Sequence, residues 1–385
     1  MVQLLRGRAG LPAEFRNFIR NLEKRNATVK LTAKTTKKLR QSGIAAIALA
    51  AALGAAGTAY AATTIVETGS SLLYPLFNLW VPDFTASHSG IQVTTTSTGS
   101  GAGISQSIKG LVQIGASDAY LSDALMSKNP QMLNIPMAIS SQAINYNLPG
   151  LNGKNIKLSG PVLADIYTGK ITKWNDKRIK SINPGVKLPN HEIIPIHRLD
   201  GSGDTFIFSQ YLADSDKTWS NTMHYGTTLS WPSVTGAIGA NGNTGMLSAL
   251  QSNPYGIAYI GVSYANEVEK AGLGVAKLKD KAGDYVLPDA KTVGAAASSV
   301  VTSTPPDERI SMIFAPGKDA YPIANYEYAI VNAHQPNSDV AGAIKTFLNW
   351  AVTDGQDMKY LNQVHFLPLP AAIVKLSQTQ ISKIQ

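Results

Sequence analysis

The chain has 385 residues, 44% of them hydrophobic, and a formal net charge of +9, which suits two or three domains and excludes a collagen-like or disordered protein. The positive charge suggests a nucleic-acid partner, but residues 1–42 hold 11 Lys and Arg against two Asp and Glu, which leaves 23 residues of each sign in the remainder. The body of the protein is therefore neutral, and the sequence predicts no nucleic-acid binding.

The N-terminal segment has the layout of a secretory leader. The basic stretch "KKLRQSG" is followed by the apolar run "IAAIALAAALGAA" and by "AYA", whose small residues have the spacing that signal peptidase prefers. The apolar run is shorter than the ~20 residues of a membrane span. We predict a signal peptide with a long basic region over residues 1–61, cleaved after Ala61; an uncleaved anchor is the alternative.

The chain contains no cysteine. It can therefore form no disulfide and no Cys-ligated metal site, and it has no thiol nucleophile. A lipid anchor on a cysteine after the leader is also excluded. We predict that the protein is exported without a lipid tether.

From residue 62 onward, short β-rich runs alternate with helical periods. "TTIVETG" predicts a strand, and "SSLLYPLFNLWVPDF" predicts a helix with its large apolar side chains on one face. "IQVTTTSTG" predicts a strand, "SGAGISQSIKGLV" a helix and "QIGASDA" a further strand. This alternation predicts an α/β fold with a largely parallel sheet.

The second half of the chain continues this alternation. Two long β-rich runs, 135–149 and 321–332, are candidates for the two crossings of a hinge between lobes. Between them the sequence predicts a helix within 158–176, a strand at 192–198 and a helix from 203 to 213. The chain is predicted to end in a helix over 340–356 and a further apolar helix.

Three Gly/Ser-rich turns follow strand-like runs and open helices: "ETGSSLL" (67–73), "STGSGAGIS" (97–105) and "LDGSGDTF" (199–206). A helix N-terminus leaves N–H groups unpaired and carries about half a positive charge. Glycine allows close approach of the backbone, and serine adds hydroxyl donors. Each turn alone is typical of a capped helix, but the three together predict an anion site.

The enzyme motifs that these turns resemble are incomplete. "GSGAG" imitates a dinucleotide fingerprint, with Asp118 downstream, but the third glycine position holds Ile104. The Gly-x-Ser-x-Gly pattern of hydrolases fails at both Ser100 and Ser202. There is no Walker P-loop, and the scattered histidines lack metal-ligand spacing; His197 is predicted to be a packing residue. We predict no catalytic residue, no metal and no cofactor.

Two aspartates, Asp118 and Asp200, lie beside the predicted anion site. A carboxylate repels an anion unless that anion donates a hydrogen bond to it. Hydrogen phosphate carries O–H groups at neutral pH, whereas sulfate carries none, so buried carboxylates favour phosphate. Arg198 could pair with the anion or hold an aspartate in place. Capping or turn roles for the two aspartates are the structural alternatives.

The sequence closely resembles the phosphate-binding proteins of bacterial phosphate-specific ABC transporters. The resemblance spans about residues 64–376, and its blocks are "GSSLLYPLFNLW", "TGSGAGISQSIKGLVQIGASDAYLS", "LADIYTGKITKWND", "HRLDGSGDTFIFSQYL", "YPIANYEYAIV" and "FLPLP". It implies a two-lobed periplasmic-binding-protein fold of type II with mixed sheets and two hinge crossover strands. It also implies phosphate in the cleft between the lobes.

The resemblance implies a phosphate site on the three turns and on the "GASD" strand end. Carried over residue by residue, this site comprises Ser70, Ser71, Leu72, Ser100, Asp118, Arg198, Asp200, Ser202, Gly203 and Asp204. Asp118 would accept the proton of the anion, and Leu72 would offer only its N–H. Many relatives have threonine where this chain has Asp204, so we expect a backbone N–H contact there.

The resemblance also implies lobe boundaries and partners. One lobe would comprise residues 62–139 and 320–385 and the other residues 140–319, with hinges near 135–147 and 321–332. The partners would be inorganic phosphate and the membrane permease of an ABC importer, and the protein would be a periplasmic monomer. The alternatives are a receptor for another oxyanion, such as sulfate or molybdate, and a phosphoesterase.

Overall fold

The computed structural model describes residues 62–385, and the predicted leader lies outside the described residues. The strands of this part of the chain are β1 (Thr63–Gly69), β2 (Ile91–Thr94), β3 (Ile114–Ser117), β4 (Met132–Tyr146), β5 (Lys157–Leu158), β6 (Ile194–Arg198), β7 (Ile238–Ala240), β8 (Gly256–Gly261), β9 (Gly274–Val275), β10 (Lys277–Lys279), β11 (Tyr285–Val286) and β12 (Ala324–Asn332). The helices are α1 (Tyr74–Ser87), α2 (Ser100–Ile108), α3 (Asp123–Lys128), α4 (Gly160–Tyr167), α5 (Lys177–Ile182), α6 (Gly203–Ser215), α7 (Lys217–Thr222), α8 (Gly242–Ser252), α9 (Ala265–Lys270), α10 (Ala290–Ser298), α11 (Ser338–Ala351), α12 (Met358–Leu361) and α13 (Ala371–Ser382).

The main sheet is mixed. Its strands follow the order β2-β1-β3-β12-β4-β8-β6-β7, with β9 beside β4, and β11-β10-β5 form a small second sheet. The flanks are parallel, because β1 pairs in parallel with β2 and β3, and β6 does so with β7 and β8. In the centre, β12 is antiparallel to β3 and β4, and β4 is antiparallel to β8. The mixed-sheet expectation is confirmed, whereas the expectation of a largely parallel sheet holds only for the flanks.

Strand β4 belongs to both halves of the sheet. Its first part, residues 132–141, pairs with β12, and its last part, residues 142–146, pairs with β8. All 15 residues of β4 are buried. Cover on both faces favours the apolar residues of this strand, and the run is interrupted by the buried polar residues Asn134, Ser140, Ser141, Gln142 and Asn145.

Helix α1 begins four residues later than its apolar pattern predicts. Pro75 lies in its first turn, where the missing N–H costs no helical hydrogen bond. Residues 70–73 form a turn in which the N–H groups of Leu72 and Leu73 donate to Ser70 Oγ at 3.1 and 3.0 Å. The backbone of Ser70 and Ser71 therefore belongs to the turn that follows β1.

Aromatic packing between α1 and α11 anchors this region. The rings of Phe84 and Phe347 have centroids 5.0 Å apart, and those of Trp80 and Trp350 have centroids 6.3 Å apart, both with edge-on geometry. Such pairs contribute about 0.5–1.5 kcal/mol each beyond the burial of their area. This packing fixes the position of the turn at residues 70–73 against the sheet.

Helix α8 and strand β8 have no counterpart among the predicted elements, although "GIAYIG" is fully buried at the centre of one half of the sheet.

Within residues 62–385, no helix combines the length and the apolar character that crossing a bilayer demands.

Candidate functional site

Four helix-opening turns meet at one edge of the sheet. Three are the predicted turns, which lead into α1, α2 and α6, and the fourth, at residues 241–244, opens α8 after β7. The N–H of Gly101 donates to the carbonyl of Gly201 at 2.9 Å, so the second and third turns touch. The N–H of Asn243 donates to Ser71 Oγ at 3.1 Å, so the first and fourth also touch. The positive ends of four helices therefore point to one place.

Arg198, at the end of β6, supplies the positively charged side chain where the four turns meet, and this side chain is 1% exposed. Its Nε donates to Asp200 Oδ1 at 2.6 Å, and its Nη2 donates to Asp200 Oδ2, so the two side chains form a bidentate ion pair. Its Nη1 donates to Asp204 Oδ2 at 2.8 Å and to Ser71 Oγ at 3.2 Å. One guanidinium thus holds two carboxylates and a serine from another turn.

The Asp204 carboxylate accepts hydrogen bonds from three side chains. Besides Arg198, Asn243 Nδ2 donates to Asp204 Oδ2 at 2.7 Å, and Gln142 Nε2 donates to Asp204 Oδ1 at 2.9 Å. The carboxylate is thus engaged by α8 and by β4, while the N–H of Asp204 belongs to the first turn of α6. That N–H has no carbonyl one turn earlier to accept it.

Asp118 follows β3 and is fully buried. Ser70 Oγ donates to Asp118 Oδ1, and Asn325 Nδ2 on β12 donates to the Asp118 carbonyl at 2.6 Å. Among the described residues, no donor reaches Asp118 Oδ2. A buried acceptor without a donor costs free energy, so this oxygen is suited to a ligand that brings a hydrogen.

Three buried serine hydroxyls accept hydrogen bonds and keep their own hydrogens. Ser71 Oγ accepts from Arg198 and Asn243, Ser100 Oγ accepts from the N–H of Asp118 at 3.2 Å, and Ser202 Oγ accepts from the N–H of Thr205 at 3.1 Å. Because none of these oxygens donates within the described contacts, each hydroxyl hydrogen remains for a ligand. A groove of about 480 Å³ opens at the edge of this site, where it is lined by Ser71, Asp200 and the turn at residues 241–244.

Burial sets the electrostatics of the site. It raises the pKa of Asp118 to about 7, and the charge of Asp204 acts in the same direction. Burial also raises the pKa of Asp204, although Arg198 opposes it. For Asp200, burial acts upward too, but the hydrogen bonds and charge of Arg198 bring the pKa below its ordinary value. With one cation among three carboxyl groups, a bound dianion would need protons nearby.

Gly203 lets the second and third turns approach each other. A Cβ at this position would overlap the Asp118 carboxyl group and Ser100 Oγ. We expect Gly203→Ala to lower the free energy of unfolding by about 1–3 kcal/mol through overpacking. Gly342→Ala, at an open position within α11, is the control and should raise it by about 0.5–1 kcal/mol. Urea denaturation measures both, and a Gly203→Ala protein as stable as the parent would contradict this packing.

The structure brings the ten predicted site residues together. Leu72 is the least direct, since its N–H donates to Ser70 Oγ and its side chain packs against Gly261. Asn243 and Gln142 were not predicted. The turn "NGNT" after the short strand "IGA" has the same Gly- and Asn-rich character as the other three and could have revealed Asn243. Gln142 follows Ser140 and Ser141 within a β-rich run and carries no such signal.

His197 is a packing residue, as predicted, because its ring stacks on Trp231 with centroids 4.9 Å apart. Its partial burial lowers its pKa. Within residues 62–385, no group of three or more His, Asp or Glu side chains is placed to hold a metal ion.

Sequence comparison finds relatives over most of the chain. The PBP superfamily domain matches residues 54–355. "Phosphate-binding protein PstS" of Methanocaldococcus jannaschii is 34% identical over 84% of this chain and 87% of its own length. The protein of the same name from Xylella fastidiosa strain Temecula1 is 34% identical over 81% of this chain and 83% of its own length.

Solved structures share the fold at lower sequence identity. A high-affinity periplasmic phosphate-binding protein, PfluDING, bound with phosphate, aligns with a TM-score of 0.66 and 20% identity over 82% of this chain and 93% of its own. A phosphate-binding protein from Stenotrophomonas maltophilia aligns with a TM-score of 0.63 and 19% identity over 83% and 94%. The type II binding-protein fold expected from the sequence is confirmed, whereas the lobe and hinge bounds stay predictions.

Proposed function

The chain belongs to the PstS family of phosphate-binding proteins within the PBP superfamily, and from this membership we propose that it captures inorganic phosphate outside the cytoplasm and delivers it to an ABC importer. The protein is a phosphate receptor and not an enzyme. Its partners are phosphate and the permease of a phosphate transporter.

One observation in this chain carries the assignment of phosphate. Asp118 Oδ2 is a buried acceptor without a donor, and it lies among N–H and O–H donors. A ligand that satisfies both must accept several hydrogen bonds and donate at least one. Hydrogen phosphate does so at neutral pH, whereas sulfate and molybdate dianions have no hydrogen to donate.

The donors proposed for the phosphate oxygens are hydroxyl and main-chain groups. The hydrogens of Ser71, Ser100 and Ser202 are uncommitted, and the N–H groups of Gly203 and Asp204 open α6. Helix N-termini bind phosphate in this way without a lysine-rich pocket. We propose contacts from the ten residues predicted from the sequence, with Ser70 and Leu72 acting through the turn that they stabilise.

Arg198 neutralises charge in this scheme and also positions the carboxylates. Its pairs with Asp200 and Asp204 fix the third turn, and its bond to Ser71 joins that turn to the first. A carboxylate kept ionised beside the anion repels a ligand that has no proton. We therefore assign selectivity to Asp118 and organisation of the site to Arg198.

We also propose that residues 62–139 with 320–385 form one lobe and residues 140–319 the other. The support is that β4 and β12 cross the centre of the sheet near the predicted hinges at 135–147 and 321–332. Some of the contacts between the proposed lobes lie in the site, including Ser71 with Arg198 and Gly101 with Gly201. Phosphate that bridges these turns would favour the closed arrangement, so binding and closure would be linked.

We propose further that the protein is exported, that its mature form is a monomer without a lipid tether, and that it binds no nucleic acid. The support is the secretory layout of residues 1–61, the absence of cysteine and the neutral charge of the remaining chain.

Competition between anions tests the function. We expect the mature protein to bind radiolabelled phosphate at neutral pH, with excess unlabelled phosphate displacing it and sulfate or molybdate leaving it bound. A matched incubation with a chromogenic phosphate ester should release no product. Displacement by sulfate at concentrations similar to those of phosphate would contradict the assignment, and steady ester hydrolysis would favour a phosphoesterase.

A further inference from the structure

A second buried carboxyl group, that of Glu327, lies next to Asp118 on the neighbouring strand β12. In the antiparallel pairing of β12 with β3, Tyr328 lies opposite Ser117, which places Glu327 opposite Asp118 just beyond the end of β3. Asp118 is 1% exposed and Glu327 is fully buried. Asn325, two residues before Glu327, holds the Asp118 carbonyl at 2.6 Å, so the two backbones are tied together at this point.

Each carboxyl group has one satisfied and one unsatisfied oxygen. Ser70 donates to Asp118 Oδ1, and Ser140 on β4 donates to Glu327 Oε1. Within the described part of the chain, Asp118 Oδ2 and Glu327 Oε2 have no donor. Two neighbouring carboxylates cannot satisfy each other, because both only accept hydrogen bonds. One proton between them would give each group one hydrogen bond to the other, leave further lone pairs of Asp118 for a ligand, and remove the repulsion of two like charges.

The surroundings decide which group keeps that proton. Burial, followed by the charge of Asp118, raises the pKa of Glu327 well above its ordinary value. The other charged groups near the pair are Asp204 at the start of α6 and Arg198 at the end of β6, and both act on Asp118. Arg198 favours the ionised form of Asp118, whereas Asp204 adds a further negative charge against the ionised form of Glu327.

We propose that Glu327 is a positioning residue for phosphate: it keeps its proton in the folded protein and donates it to the Asp118 carboxylate, which stays a charged acceptor for the hydroxyl hydrogen of the anion. The inference rests on the proposed function. An ionised carboxylate offers about four lone-pair sites, so it can accept from Ser70, from Glu327 and from phosphate together. The pair then carries one negative charge, so Glu327 adds no further negative charge to the site.

Proton linkage provides the first test. A Glu327 that stays protonated when folded binds a proton that the unfolded chain releases above about pH 4.3. The folded protein then holds more protons than the unfolded one, so wild-type stability falls as pH rises. Glu327→Gln cannot titrate. We expect its unfolding constant relative to wild type to fall about tenfold per pH unit between about pH 5.5 and pH 7.5, measured by urea denaturation.

Phosphate titration provides the second test. Gln at position 327 keeps an N–H donor for Asp118, whereas Met has a similar volume and no donor. We expect Glu327→Gln to bind phosphate at neutral pH within about threefold of wild type, and Glu327→Met to bind at least about tenfold more weakly. Equal affinities for the Met variant and wild type would overturn the positioning role, and so would a Gln variant as weak as the Met variant.

The two tests separate this inference from the function itself. If wild type binds no phosphate, the proposed function fails, while the stability series still reports whether Glu327 holds a proton. If wild type binds phosphate but the relative unfolding constant does not change with pH, Glu327 is ionised when folded and only the inference fails. If Glu327→Met does not fold, the unfolding constants of Glu327→Gln across the pH range still decide whether Glu327 holds a proton.

Discussion

Asp118→Asn should abolish most of the discrimination between phosphate and sulfate. In the parent protein, a site with a committed buried acceptor is expected to favour the anion that donates to it by roughly 10⁴-fold. The asparagine amide can turn its N–H₂ group toward an anion, so sulfate gains a donor and loses a repelling charge. Phosphate loses a charge-assisted hydrogen bond of about 1.5–3 kcal/mol, which corresponds to roughly 10- to 100-fold in affinity.

Titration calorimetry with both anions measures this change. We expect the ratio of the two dissociation constants to shrink by at least about 100-fold, with contributions from both anions. Asp339→Asn is the control, because Asp339 is exposed in the first turn of α11, far along the chain from the site turns, and should leave the ratio unchanged. An Asp118→Asn protein that rejects sulfate as strongly as the parent would remove Asp118 from the selectivity mechanism.

Arg198→Lys should weaken phosphate binding and destabilise the fold together. An ammonium group cannot reproduce the planar fork that holds Asp200 while it also reaches Asp204 and Ser71. Breaking a buried ion pair typically costs about 3–5 kcal/mol when one partner is lost, and the retained charge of lysine should keep the loss below that range. We expect at least about 100-fold weaker phosphate binding, since the carboxylates would then face the anion with poorer compensation.

Arg178→Lys is the matched control for this variant. Arg178 also bridges two carboxylates, Asp165 and Asp176, at 2.8 and 3.0 Å, but all three residues lie within one proposed lobe and outside the site, and the Arg178 side chain is 38% exposed. Its replacement should cost about 1 kcal/mol or less and leave phosphate affinity unchanged. Equal affinity losses in the two variants would indicate a general effect of arginine replacement and would contradict a specific role for Arg198.

The local features of this site could be predicted from the sequence because they are short-range. A Gly/Ser-rich turn between a strand and a helix exposes unpaired N–H groups whatever the surrounding fold is. The "HRLDGSGD" stretch places Arg198, Asp200 and Asp204 within seven positions, so their proximity needs little tertiary information. The interpretation of Asp118 as a proton acceptor follows from charge and hydrogen-bond valence alone and stays a prediction, whereas Arg198 donates to both carboxylate oxygens of Asp200.

The contributions from distant segments could not be predicted in this way. Asn325 and Asp118 are 207 residues apart in sequence, and only the antiparallel insertion of β12 between β3 and β4 brings Glu327 beside Asp118. Both Gln142 and Glu327 lie in buried β-rich runs that contain several polar residues, so nothing in the local pattern marks these two as neighbours of the site. The pattern did predict where those strands lie, but not which strands they pair with.

The proposed lobe arrangement stays a prediction, although the sheet makes it physically reasonable. Strand β4 pairs with β12 over one part and with β8 over the other, so rotation about it would separate the halves without breaking either ladder. The bonds that would break on opening include polar ones in the site, such as Ser71 with Arg198 and with Asn243.

A crystal structure of the mature protein grown with phosphate at neutral pH tests the central claim most directly. The account predicts a tetrahedral anion within hydrogen-bond distance of the Ser71, Ser100 and Ser202 hydroxyls, of the N–H groups that open α6, and of the Asp118 carboxylate. In the hydrogen bond with Asp118, the anion would have to be the donor. An anion bound elsewhere, or one bound in this site with the Asp118 carboxylate turned away from it, would contradict the account.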